Sequence, residues 1–259
     1  KNERENLESK WNDIKVVIEY GMLTEDKFYD KAESFNLYPT VDDKYFTYEE
    51  LEKKIKKLQT DKDGNLIILY AQNKDEQYTY IESAKEKGYE VLLLDSPIIP
   101  HLMQKLESKK EKIKFSRVDS DTLENLIKKD EEVISKLTDE EKEKLKPMIE
   151  TAVENEKYTV QLEALDSNSM PFMLAQPEFM RRMKEMQQTG GGAMGNLPEM
   201  YSLIVNTNHE LVGKILNTRT EKKRNSLIKQ SIDLAKLSQN NLTGKDLTEF
   251  INRSIDLIK

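Results

Sequence analysis

Residues 66–70 read Leu66-Ile67-Ile68-Leu69-Tyr70, and residues 91–94 read Val91-Leu92-Leu93-Leu94. Each is a short unbroken apolar run, the pattern of a strand buried on both faces. Between them, residues 75–87 have helical periodicity and end at Gly88, a residue suited to the turn past a helix C-terminus. Pro97 to about Ser108 predicts another helix, and Ile113-Lys-Phe-Ser-Arg-Val118 alternates as a third strand. Strand–helix–strand–helix–strand with short links predicts a small α/β unit with a mainly parallel sheet.

Upstream of this unit the rhythm is helical. Leu7, Trp11, Ile14 and Ile18 recur at spacings of three and four over residues 4–22. Glu25 to about Ser34 continues with a short helix, and Tyr38-Pro-Thr40 breaks the pattern. Thr47-Tyr-Glu-Glu50 is a capping box that opens a helix with Leu51, Ile55 and Leu58 as its apolar stripe.

Downstream, residues 119–156 hold 13 acidic and 6 basic side chains. Leu123, Leu126, Ile127, Val133, Ile134 and Leu137 predict one amphipathic helix there, and Asp139 to about Glu154 another. The shift in charge places a domain boundary at the start of this segment, giving domains 1–118 and 119–259. Residues 158–166 alternate as a strand, with Met170-Pro-Phe-Met-Leu174 as its partner. Pro177 opens a helix to about Gln188, and Thr189-Gly-Gly-Gly-Ala-Met-Gly195 follows as a linker. Tyr201 to Val205 is a further strand. His209–Leu216, Glu221–Leu237 and Lys245–Ile258 are helices in a basic segment. The fold class is therefore mixed α+β: a small α/β sandwich unit, then an α+β domain ending in a helical bundle.

The chain has 259 residues, 37% hydrophobic and 34% charged, with a net charge of −7. Typical domains are nearer ~45–50% and ~25%, so much helix surface faces water. No run approaches the ~20 apolar residues of a membrane span, and a pI near 5.2 opposes binding to phosphate. Neither a membrane nor a nucleic-acid partner is expected. The absence of cysteine excludes disulfides, thiolate metal sites and thiol catalysis. With no signal peptide, it points to the cytoplasm. The chain lacks an initiator Met and starts in a helical pattern, so it reads as a piece of something longer.

Candidate chemistry is sparse. A phosphate site needs a Gly-rich loop after a strand, but Ala71-Gln-Asn-Lys-Asp75 and Asp95-Ser-Pro97 contain no glycine. The two histidines, His101 and His209, have no metal-ligand spacing, and no GxSxG is present. His209 follows Asn206-Thr-Asn and is placed to cap a helix. No enzymatic activity, metal or cofactor is expected in this chain. The rival is an α/β ligand-binding enzyme domain, which predicts ligand affinity within residues 66–118.

Two apolar features remain. Seven of ten methionines lie between residues 170 and 200. On the helix from Pro177, Phe179, Met183 and Met186 share a face with Met180 beside them, and Arg181, Arg182, Lys184 and Glu185 take the other. Met suits surfaces that accept varied apolar partners, so this stripe serves equally as core or as an adaptable contact surface. On the last two helices, Leu227, Ser231 and Leu234 form one stripe and Ile228, Ile232 and Ala235 the next. Leu247, Phe250, Ile251, Ser254, Ile255 and Ile258 form a wide stripe on the final helix. The pattern favours a second copy completing a four-helix bundle over packing on the chain's own body. A passive dimerisation scaffold, with the Met helix as core, is the remaining alternative.

The order of motifs resembles a known family. Lys15-Val-Val-Ile-Glu-Tyr-Gly21, Gly88-Tyr-Glu-Val-Leu-Leu-Leu-Asp95 and Phe115-Ser-Arg-Val-Asp119 resemble the middle domain of the ninety-kilodalton heat-shock chaperones, HtpG in bacteria. Leu162-Glu-Ala-Leu165, the Met-rich helix, Leu203-Ile-Val-Asn-Thr-Asn-His-Glu-Leu-Val212 and the closing Leu247–Ile258 segment are similar to the family's C-terminal domain. Asn206-Thr-Asn-His209 stands where the family usually has Asn-Pro-x-His. The ending at Lys259, without an acidic pentapeptide, favours a bacterial form.

The resemblance implies a stress-response chaperone fragment covering the end of the middle domain and the C-terminal dimerisation domain. It implies that the ATP- and Mg-binding domain and the catalytic Arg lie upstream. It implies a homodimer that binds unfolded or partly folded clients. The implied client contacts are Phe179, Met180, Met183, Met186 and Gln187, with Met103 from the helix over 98–106. The last two helices match the family's dimerisation bundle: Leu227, Ile228, Ile232, Leu234, Leu247, Phe250, Ile251, Ile255 and Ile258.

Overall fold

The run Leu66–Ala71 forms strand β3, every residue of which is buried. It is the middle strand of a three-stranded parallel sheet, order β4-β3-β5, with β4 at Val91–Leu93 and β5 at Ile113–Arg117. A central strand covered on both faces has no position for a polar side chain, which is why its sequence is unbroken. The computed structural model describes residues 3–130, 133–153, 157–190 and 200–258.

Upstream lie α1 (Arg4–Thr24), α2 (Asp26–Ala32), the two-residue strands β1 (Tyr38–Pro39) and β2 (Tyr45–Phe46), and α3 (Tyr48–Gln59). Both halves of the capping box of α3 form: Thr47 accepts from the Glu50 N–H, and Glu50 accepts from the Thr47 N–H at 2.8 Å. The small antiparallel β1–β2 pair occupies the stretch read as a break. Helix α4 (Tyr78–Glu86) links β3 to β4 and ends at Gly88, whose φ of 75° is the left-handed conformation that stops a helix. Helix α5 (Ile99–Lys109), opened by Pro100, links β4 to β5. Ile68, Tyr70, Leu92, Leu102, Leu106 and Phe115 join Met22, Leu51 and Ile55 in one core, each side chain contributing ~1.5–3 kcal/mol by leaving water.

Of the helix expected over 123–137, only one turn forms among the described residues. Thr122 caps a single turn, α6 (Leu123–Leu126), and the chain then leaves helical geometry. The Lys128 carbonyl accepts from the Lys62 N–H, and the Lys129 ammonium donates to the carbonyls of Leu58 and Thr60. Residues 119–129 thus pack with the first unit, and the division falls after Lys129 rather than Val118.

The second unit holds α7 (Asp139–Val153), β6 (Tyr158–Glu163), β7 (Phe172–Ala175), β8 (Tyr201–Asn206), α9 (Glu210–Asn217), α10 (Glu221–Ser238) and α11 (Gly244–Ile258). The sheet order is β6-β8-β7, with β6 parallel and β7 antiparallel to β8. The Met170–Leu174 segment therefore partners the strand at 201–206, not the strand at 158–163. Val160, Phe172, Leu174, Leu203 and Val205 face Leu145, Ile149, Val212, Ile215, Ile228 and Ile232 in the second core.

The Met-rich segment forms α8 (Glu178–Gly190). In sequence it lies between β7 and β8, yet it clusters with the first unit. This is a second departure from the 1–118 and 119–259 division. The remainder of the expected linker, from Gly191, and Met194 lie outside the described residues.

Candidate functional site

Amphipathic helices usually bury their apolar stripe; α8 buries its charged one. Glu178, Arg181, Arg182 and Glu185 recur at i, i+3, i+4 and i+7 and therefore share a face. Arg181 is only 3% exposed. Its guanidinium donates to Glu178 at 2.6 Å, to Glu185 at 2.5 Å and to the Tyr70 hydroxyl, and lies 5.6 Å from the Tyr70 ring. The Tyr70 hydroxyl in turn donates to Glu178 Oε1 at 2.8 Å. Arg182 donates to Glu178 at 2.7 Å, to Glu107 of α5 at 2.8 Å and to the Phe115 carbonyl. Arg117 donates to Gln72 at 3.0 Å and pairs with Asp119.

The electrostatics follow from this crowding. Burial pushes the Glu178 carboxyl up, but Arg181 and Arg182 outweigh it and hold the group below its ordinary value. Burial pulls the Arg181 and Arg182 guanidiniums down, and their carboxylate partners more than reverse that, so both stay charged. Tyr70 is raised, first by burial and then by Glu178. Removing one member of such a set leaves an uncompensated buried charge, at a cost of roughly 3–5 kcal/mol.

With the charges turned inward, Phe179 is 70% exposed. Met180, Met183, Met186 and Gln187 are half-buried beside it. The structure thus brings these five residues together on the side of α8 away from its ion pairs. Met103 does not join them. It is 1% exposed in the core of the first unit, because it sits on the sheet-facing side of α5 with Leu102 and Leu106. A surface role for Met103 is corrected to a packing role.

The candidate dimerisation residues divide in two. Ile228 and Ile232 are buried against β7 and the rest of the second core, so they face their own sheet rather than a second copy. Leu227 is half-buried against the same core. The next stripe is different. Leu234, Leu237, Ile251 and Ile255 are each more than 40% exposed and Ile258 is 85% exposed, with Leu247 and Phe250 half-buried between them. Polar contacts pin the two helices: Gln230 donates to Ser254 at 2.8 Å, and Arg253 donates to Asp233.

His209 is the N-cap of α9, where its Nδ1 accepts from the Leu211 N–H at 3.0 Å, and His101 is half-buried on α5. Among the described residues, no group of three or more His, Asp or Glu is placed to hold a metal ion. No helix among them is long and apolar enough to cross a membrane. The feature that sequence reasoning missed is the docking role of Glu178, Arg181 and Arg182. Its signal was present in the matched charges on one helical face.

No protein-family model matches the chain. Similar curated proteins are the "Chaperone protein HtpG" of Bacteroides thetaiotaomicron, 38% identical over 327 positions, and that of Bacteroides fragilis strain YCH46, 37% identical over 327 positions. Each covers 100% of this chain, and the match takes in 48% of the relative. The Porphyromonas gingivalis protein of the same name is 40% identical over 242 positions, covering 92% of this chain and 35% of the relative. The chain thus spans about half the length of the Bacteroides relatives it matches.

Proposed function

The chain belongs to the HtpG family, and from that premise we propose that it is the client-binding and self-associating part of an HtpG chaperone. The observation that carries this reading is the inversion of α8. Its ion pairs are buried, so Phe179 and the flanking Met180, Met183 and Met186 form an apolar strip reachable from water. Unbranched, polarizable Met side chains repack against varied partners at low cost, which suits weak binding of unfolded segments. The exposed Leu234, Ile251, Ile255 and Ile258 stripe supports homodimerisation, which would present two α8 strips and add avidity.

The same reading assigns ATP hydrolysis to the part of the longer protein outside this chain. A nucleotide site in residues 66–118 is disfavoured, because neither strand end carries a Gly-rich loop.

The deciding experiment is suppression of aggregation of a chemically unfolded protein by the Met183→Asp/Met186→Asp variant. The expected result is a several-fold loss of suppression with unchanged self-association. Full suppression by the variant would remove α8 as the client surface.

A further inference from the structure

Strands β3 and β5 are parallel neighbours, so their carboxyl ends lie on one edge of the sheet. The chain leaves β3 for β4 on one side and returns across β3 to β5 on the other. That order leaves β5 as an edge strand: its Val118 N–H donates to the Tyr70 carbonyl at 2.9 Å, so the Arg117 N–H one position earlier points away from β3, to the free edge. A free strand edge presents unpaired N–H and C=O groups that are ready to take a partner.

Here side chains of the same polypeptide sit on that edge: the Phe115 N–H donates to Glu107 of α5 at 2.7 Å, and the Phe115 carbonyl accepts from Arg182 of α8. Glu178, in the first turn of α8, reaches a side chain of β3 and the free edge of β5. Its Oε1 accepts from the Tyr70 hydroxyl of β3 at 2.8 Å, and its Oε2 accepts from the Arg117 N–H of β5 at 3.3 Å. Arg181 and Arg182 then close on Oε1 from the following turn. The carboxylate is thus held as a bound anion would be, by a hydroxyl, a backbone N–H and two guanidiniums.

We infer that α8 is docked as an internal ligand, with Glu178 as its anchoring carboxylate and Tyr70 and Arg117 as the receptor. In this arrangement Glu178, Arg181 and Tyr70 are positioning residues for the apolar strip. A helix held by an apolar stripe can roll about its axis with little loss. Hydrogen bonds are directional, so a helix held by one carboxylate between a tyrosine hydroxyl and a strand-edge N–H has its rotation fixed. That rotation sets Phe179 and Met183 toward solvent. The contacts also stand or fall together: without Tyr70 or Glu178, Arg181 is left beside an unmatched group in a dry site. The anchor therefore behaves as a two-state latch. Its consequence for clients rests on the reading of α8 proposed above; the docking itself does not.

Amide hydrogen exchange across residues 180–187 of the 259-residue chain tests the latch, in Tyr70→Phe, Glu178→Gln and the double variant. Each single change is expected to speed exchange in α8 by about tenfold or more. The double variant is expected to be no faster than the faster single, because both changes break one shared contact. Amides of Ile67–Leu69 report whether the first unit stays folded. Tyr70→Phe keeps the ring and removes one hydroxyl, so it decides the matter alone if Glu178→Gln unfolds the unit. Unchanged α8 exchange in Tyr70→Phe, or singles that multiply in the double, would overturn the latch. Faster α8 exchange with unaltered client binding would uphold it and count instead against α8 as the client surface.

Discussion

Asn208 donates from its side-chain amide to the carbonyl of Ile134, 74 positions earlier in the chain, at 3.0 Å. The same amide donates to the Leu165 carbonyl at 3.0 Å, and its oxygen accepts from the Lys136 N–H at 2.7 Å. Asn206 adds a bond to the Asp166 carbonyl at 2.8 Å and accepts from the N–H groups of Leu165 and Asn208. Two asparagines thus satisfy the backbone of two otherwise irregular segments. Asn208→Ala strips partners from three backbone groups. An unsatisfied buried group costs roughly 1–3 kcal/mol, so the second unit should lose about 3 kcal/mol in urea unfolding. A change under ~0.5 kcal/mol would mean water replaces the side chain.

That knot also explains one limit of the sequence. Val133, Ile134 and Leu137 have helical spacing, but Asn208 takes the backbone groups of Ile134 and Lys136 that a helix would pair internally. Ile134 is left 86% exposed. A local pattern carries no record of a partner 74 positions away. The strand at Leu66–Ala71 was legible for the opposite reason, since burial on both faces is written in every residue. The terminal helices were half legible. Periodicity found both stripes of α10, but only packing tells that Ile228 turns to the sheet and Leu234 to water. The docking face of α8 was the hardest to read, because charges at helical spacing normally face solvent.

Glu19 is 7% exposed on α1, and burial raises its carboxyl to about 7; Ser96 and Lys15 pull it back, and Asp95 adds to it. The folded-state value lies above the ordinary one. Its stabilising contribution is therefore complete below the ordinary carboxylate range and is lost as pH rises through about 7. Stability should fall by roughly 2–3 kcal/mol between acid and mildly alkaline solution. Glu19→Gln should flatten that decline and be the more stable form at about pH 8. Parallel pH dependences for the two proteins in urea titrations would place the titrating group elsewhere.

Met103 and Phe179 were both candidates for client contact, and their burial now separates them. Truncating a buried Met to Ala costs ~2–5 kcal/mol through lost contacts and the cavity left behind. Met103→Ala should lower the thermal midpoint strongly and leave client affinity alone while the chain is folded. Phe179→Ala should change stability by less than ~0.5 kcal/mol, as surface substitutions do, and weaken client binding. The opposite pattern, with Phe179 carrying stability, would mean its ring is covered in solution.

The two stripes of α10 make the sharpest contrast. Ile228 has no exposed surface, and Ile228→Ala should destabilise the second unit by ~2–5 kcal/mol. Ile251 and Ile255 are about half exposed on α11, so Ile251→Asp/Ile255→Asp should leave protomer stability nearly unchanged. If the outer stripe is the self-association surface, sedimentation equilibrium should give twice 30.3 kDa for the parent and 30.3 kDa for this double variant. Charges placed in an apolar interface are left without water or partners, which is why two substitutions suffice. A double variant that remains dimeric, beside a normally folded protomer, would move the interface away from α10 and α11. A parent that is monomeric at high concentration would leave the stripe to another partner.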